Sequence, residues 1–253
     1  MFADFASGFG VAIADLVFLV AVATLAGIVR GFSGFGSALI YIPLAATVLP
    51  PVWVLITLTV MDLVGPLPNL PRAVREGRPR QVAAIGAVAG VTLLAGLWAL
   101  DRIGDAGFRW VVSGLCLVTV ALMATGWRWS GRITPAIILG SGGMSGFLGG
   151  LSGLAGPPVI LTYMSASLPA ATIRANVLMY LVLWDAMLIS MLAVQGRLTA
   201  APLLLGAVLI LPYLGANVAG AWVFRTGAER MYRAAAYIII TGAAVMALPV
   251  WSL

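Results

Sequence analysis

The stretch Gly31-Phe32-Ser33-Gly34-Phe35-Gly36 returns 119 residues later as Gly150-Leu151-Ser152-Gly153-Leu154-Ala155, followed by Gly156-Pro157-Pro158. At the same offset Leu49-Pro50 meets Leu168-Pro169, and Gly77-Arg78 meets Gly196-Arg197. Farther on the register slips by five residues, so that Phe108-Arg109 corresponds to Tyr232-Arg233. An ordered set of matches without gaps over 48 residues indicates a duplicated chain with halves 1–127 and 128–253.

The residues around these motifs are mostly apolar. Of 253 residues, 62% are hydrophobic and 9% charged, and mean hydropathy is +1.10. A soluble domain carries about a quarter charged residues, and a disordered chain has far less apolar surface, so both classes are excluded. A bilayer-spanning helix needs about 20 mostly apolar residues. Runs separated by Gly, Pro and Arg clusters predict ten helical segments: 11–29, 35–49, 52–71, 81–100, 108–126, 133–148, 154–167, 171–193, 199–223 and 231–250. Segments 35–49 and 154–167 are too short to cross the hydrocarbon core, and each follows a glycine-rich motif. They read as half-helices or arms of re-entrant hairpins.

Each half therefore holds five segments, or three full spans and a hairpin. Either number is odd, so the second half enters the membrane upside down. The expected fold is an all-α polytopic membrane protein of two inverted repeats, an arrangement in which substrate sits where broken helices meet near the midplane.

All 14 basic residues are Arg, against eight acids. An N-terminus outside places Arg30, Arg72, Arg75, Arg78, Arg80, Arg128, Arg132, Arg174, Arg225, Arg230 and Arg233 on the cytoplasmic side. Arg102, Arg109 and Arg197 then lie outside. That imbalance predicts a multi-pass inner-membrane protein with both termini periplasmic, and treating each short segment as part of a hairpin relocates only Arg30. With no basic region ahead of it, the first helix is expected to be retained rather than cleaved.

Clustered glycines interrupt a helix, and inside a bilayer the break must line a cavity or be buried in protein. A half-helix starting at Ser37 or Pro157 aims its free N–H groups and positive dipole end at the break. Pro157 suits a first helical turn, having no N–H to leave unpaired. With the hydroxyls of Ser33, Ser37 and Ser152, two such N-termini would cradle an anion without placing a fixed charge in the membrane. Candidate substrate-binding residues are Arg30, Gly31, Ser33, Gly34, Gly36, Ser37, Gly150, Ser152, Gly153, Gly156, Pro157 and Asn176. Close helix packing is the competing reading for the glycines and serines; for Arg30 it is an orientation signal at the inner surface.

Asp62 and Asp185 fall inside apolar spans, where ionisable groups are expensive. Either could couple transport to protons or pair with an Arg. Hydrogen bonding between helices would explain them equally. Trp98, Trp110, Trp127, Trp129, Trp222 and Trp251 lie near predicted helix ends as interfacial anchors do; Trp53 and Trp184 do not fit that pattern.

A Gly-x-Ser-Gly tetrad also resembles the nucleophile motif of rhomboid-like intramembrane proteases. A serine nucleophile needs a base, and the chain has no His. With a single Cys, Cys116, read as a buried core residue, no disulfide and no Cys/His metal site can be built. No enzyme and no cofactor are expected, and no Walker A motif supports ATP hydrolysis.

The two motifs, their spacing and the Leu-Pro after each resemble the TauE/SafE family of sulfite and organosulfonate exporters over the whole chain. That resemblance implies export of a small sulfur-containing anion, such as sulfite, sulfoacetate, another organosulfonate or thiosulfate, across the bacterial inner membrane. Secondary transport by alternating access is the expected mechanism, with an anion channel or uptake carrier of the same fold as the alternative. A non-transporting membrane enzyme or sensor is the reading from another class. Neither nucleic acid nor ATP enters as a partner.

Overall fold

The computed structural model describes residues 11–33, 36–126, 134–223 and 229–252. Among them the chain is all-helical, with ten α-helices and no strand. They are α1 Ile13–Ser33, α2 Ser37–Ala45, α3 Pro51–Val64, α4 Leu70–Glu76, α5 Pro79–Ala124, α6 Pro135–Ser152, α7 Gly156–Met164, α8 Ala170–Val194, α9 Ala200–Val223 and α10 Glu229–Ala247. Proline opens α3, α5 and α6, where its missing N–H costs nothing, and the Thr134 hydroxyl caps α6 by accepting from the Ile137 amide. Among the described residues four helices are long and apolar enough to span a membrane, or five if α3 and the turn and helix after it, bent by 45°, count as one span.

Several element boundaries differ from the sequence expectation. The first helix does not stop at residue 29 but continues to Ser33, and the sixth segment continues to Ser152, both running through their glycines. The reason is helix contact. A Cβ on Gly150 would stand 2.6 Å from the Leu93 carbonyl oxygen, and one on Gly31 would run into the Asn217 carbonyl. These glycines let backbones touch, which in lipid is the main source of helix association and outweighs their low helix propensity of about 1 kcal/mol. The expected single helix 52–71 is divided because Pro66, Pro68 and Pro71 remove three amide donors, leaving a 3₁₀ turn, Leu67–Asn69, between α3 and α4. Segments 81–100 and 108–126 are limbs of α5, divided at Gly104 (φ 63°, ψ 179°). At 46 residues α5 would be about 70 Å long if straight, well beyond a bilayer. The first limb lies along α6 and the second against α10, where Arg109 donates to the Ala247 carbonyl (2.8 Å).

Gly142, Gly146 and Gly150 repeat every four residues on α6 and face Ile85, Ala89 and Leu93, equally spaced on α5. Gly27 and Gly31 of α1 meet α9 in the same way, and Gly220 of α9 meets Ile28. Thus α1 lies along α9, and α6 along α5. These two seams hold a frame around the short helices α2 and α7, with α3 and α8 in contact between them.

Candidate functional site

Both short helices begin at a backbone reversal that only glycine takes readily: Gly36 at φ 98° before α2, and Gly153 at φ 79° before α7. The second break satisfies its own polar groups. The Gly153 amide donates to Gly149 O (2.6 Å), Leu154 N to Ser152 Oγ (3.3 Å) and Ala155 N to Gly153 O (3.1 Å). The Ser145 hydroxyl donates to the Ala155 carbonyl and lies 2.5 Å from the Tyr180 hydroxyl. Irregular backbone is thereby made tolerable inside the protein.

The N-termini of α2 and α7 open on one cavity, lined also by α1, α3, α8 and the second limb of α5. It offers about 70 Å³ to the centres of water molecules, or room for roughly five, since each needs about 10–15 Å³ on that measure. The two ends are unequal. Helix geometry leaves the amides of Ser37, Ala38 and Leu39 free of intrahelical partners, whereas at α7 Pro157 and Pro158 have none to offer beyond Gly156.

A charged cluster sits at the α2 end. Arg30 Nη1 is 2.6 Å from Asp62 Oδ2, with side chains 13% and 14% exposed. Ser37 joins them, accepting from Arg30 (3.1 Å) and donating to Asp62 (3.0 Å). The Tyr213 hydroxyl, from α9, donates to the other Asp62 oxygen. Asp62 thus gathers donors from three helices. Asp185 enters the cavity from α8, within Coulombic reach of both Arg30 and Asp62, and makes no hydrogen bond or ion pair with a described residue.

Of the residues singled out in the sequence, the structure brings Arg30, Gly36, Ser37, Asp62, Gly153, Gly156, Pro157 and Asp185 to this cavity. Gly31 and Gly150 lie in the α1–α9 and α6–α5 seams. Ser152 is fully buried away from the cavity, donating to Leu148 O (2.7 Å). Asn176 lies at the α4–α5 junction, where its Oδ1 accepts from the Arg78 amide (2.7 Å). The Ser33 side chain and Gly34 are outside the described residues. Tyr213, Thr59, Thr119 and Trp184 escaped the sequence reading. Trp184 alone gave a signal, as a tryptophan far from any predicted helix end; it is 3% exposed and on the cavity wall, whereas Trp222, expected as an interfacial anchor, is 72% exposed.

Compared with known proteins, residues 19–247 match the family model described as Sulfite exporter TauE/SafE. No curated protein and no solved structure matches the chain.

Proposed function

The chain belongs to the sulfite exporter TauE/SafE family, and we propose that it exports sulfite or a related small sulfur-containing anion through the cavity that holds Arg30. Family membership and the apolar helices make it a multi-pass membrane transporter. One observation carries the site: a guanidinium buried in the protein faces a small cavity on which two half-helix N-termini converge. Cation, hydroxyl and oriented amides are the groups that bind oxyanions. A sulfite ion fits the space available, whereas a longer sulfonate such as sulfoacetate needs the walls to part.

The mechanism proposed is alternating access of two inverted halves, 1–127 and 128–253, around this site. Their mutual packing supports it. The first helix of each half lies along the fourth hydrophobic segment of the other, α1 on α9 and α6 on the first limb of α5. The arginine distribution supports an inner-membrane orientation with both termini periplasmic.

Flux of sulfite into liposomes containing the purified protein tests the reading. Wild-type protein should carry sulfite, and Arg30→Gln should slow it by about tenfold or more, because hydrogen bonds to charged groups contribute ~1.5–3 kcal/mol. No sulfite flux under either a pH or a voltage gradient would sink it.

A further inference from the structure

The anion cradle already holds an anion, the protein's own. The Asp62 carboxylate occupies Arg30, accepts from Ser37 at the start of α2, and takes the Tyr213 hydroxyl. These are the donors that a translocated oxyanion would require. Building on the reading of this cavity as the transport site, we propose that Asp62 is a tethered surrogate substrate: the incoming anion displaces it from Arg30, and the freed carboxylate takes up a proton that crosses with the anion.

The charge count drives the exchange. Among the described residues, the titratable groups facing Asp62 are Arg30 from α1, Tyr213 from α9 and Asp185 from α8. Ser37 from α2, and Thr119 and Met123 from α5, add no charge to the wall. Among the described residues, one cation therefore faces two carboxyl groups. An anion entering this set unchanged would compete with the Asp62 carboxylate for one guanidinium, beside the Asp185 carboxyl group, in a space where Coulomb energies are several-fold larger than in water. A displaced, buried carboxylate without a partner is the costly species, and a proton from water is the neutralising partner at hand. The only bonds exchanged are O–H bonds: a solvent proton donor gives up one proton, and the Asp62 carboxylate gains it to become a carboxylic acid. The proton leaves when Asp62 regains Arg30 after the substrate departs. Without substrate the Arg30–Asp62 pair keeps the cradle closed to other anions. Anion and proton then move in the same direction, whichever way the gradients drive them.

Calorimetric titration of the purified protein, in buffers of different ionisation enthalpy, counts protons taken up per anion bound. Sulfite and thiosulfate are the probes, the second because it takes up no proton of its own near neutrality. Wild-type protein should take up about one proton per anion. Asp62→Asn should lose that uptake and bind about tenfold tighter or more, because the competing charge is gone. Asp185→Asn and Asp62→Glu should keep the uptake. Binding without proton uptake in wild type overturns this inference alone, as does uptake that persists in Asp62→Asn or disappears in Asp185→Asn. Should Asp62→Asn fail to fold, the wild-type and Asp62→Glu measurements still decide. If neither anion binds wild-type protein, the transport reading falls and this inference with it.

Discussion

Ser37 and Ser152 both adjoin a glycine break, yet their hydroxyls face different tasks. Ser37 relays between Arg30 and Asp62, while Ser152 donates to Leu148 O and accepts from Leu154 N. Ser37→Ala should therefore weaken sulfite binding about three- to tenfold, the value of one net hydrogen bond. Ser152→Ala should leave affinity unchanged and instead destabilise the fold by about 1–3 kcal/mol, since it orphans a buried amide. Titration calorimetry and thermal melting separate the two. Arg30, Asp62 and Asp185 stood out in the sequence because charge is rare inside apolar runs. Tyr213 did not, since nothing local distinguishes a tyrosine that donates to a carboxylate 151 positions away from one at a lipid interface.

Among the elements, the short helices α2 and α7 were legible as segments too short to span, each behind a glycine cluster. The start of α2 at Ser37 was legible too, and α7 begins at Gly156, one residue before the expected Pro157; which glycine does which job was not, because the clusters mix two kinds of glycine. Gly36 and Gly153 turn the backbone, whereas Gly31 and Gly150 continue a helix pressed against its neighbour. Propensity is the same for both kinds; only the neighbouring backbone tells them apart. Gly153→Ala should lower stability by about 1–2 kcal/mol through left-handed strain, with its Cβ also 2.7 Å from Leu55 Cδ2. Gly150→Ala meets backbone atoms that cannot step aside, so about 1–3 kcal/mol is expected from forcing α6 off α5. Thermal unfolding in detergent checks both, and a melting temperature unchanged in Gly150→Ala would remove the close-contact account of that seam.

For the whole molecule, the arginine distribution makes an orientation that labelling can read. Cys116 is fully buried, with its thiol directed at the Leu39 carbonyl (3.6 Å), so it should resist a membrane-impermeant maleimide and provide a low background. On that background Gln195→Cys should label in intact cells, and Glu76→Cys only after the inner membrane is opened. The reverse pattern would invert the topology. Hydropathy and its interruptions sufficed for an all-helical membrane protein, for the existence of two short helices and for a list of charges that must have partners. These are properties of each segment against a uniform solvent, lipid or water, and so they are written locally. Which charge meets which was decided only in three dimensions. Arg30 and Asp62 are brought together because the glycine faces of α1 and α9, and of α5 and α6, let those helices close to backbone contact. The cavity exists between elements far apart in the chain. The pairing of Arg30 with the protein's own carboxylate in its wall is a consequence of packing that no run of residues contains.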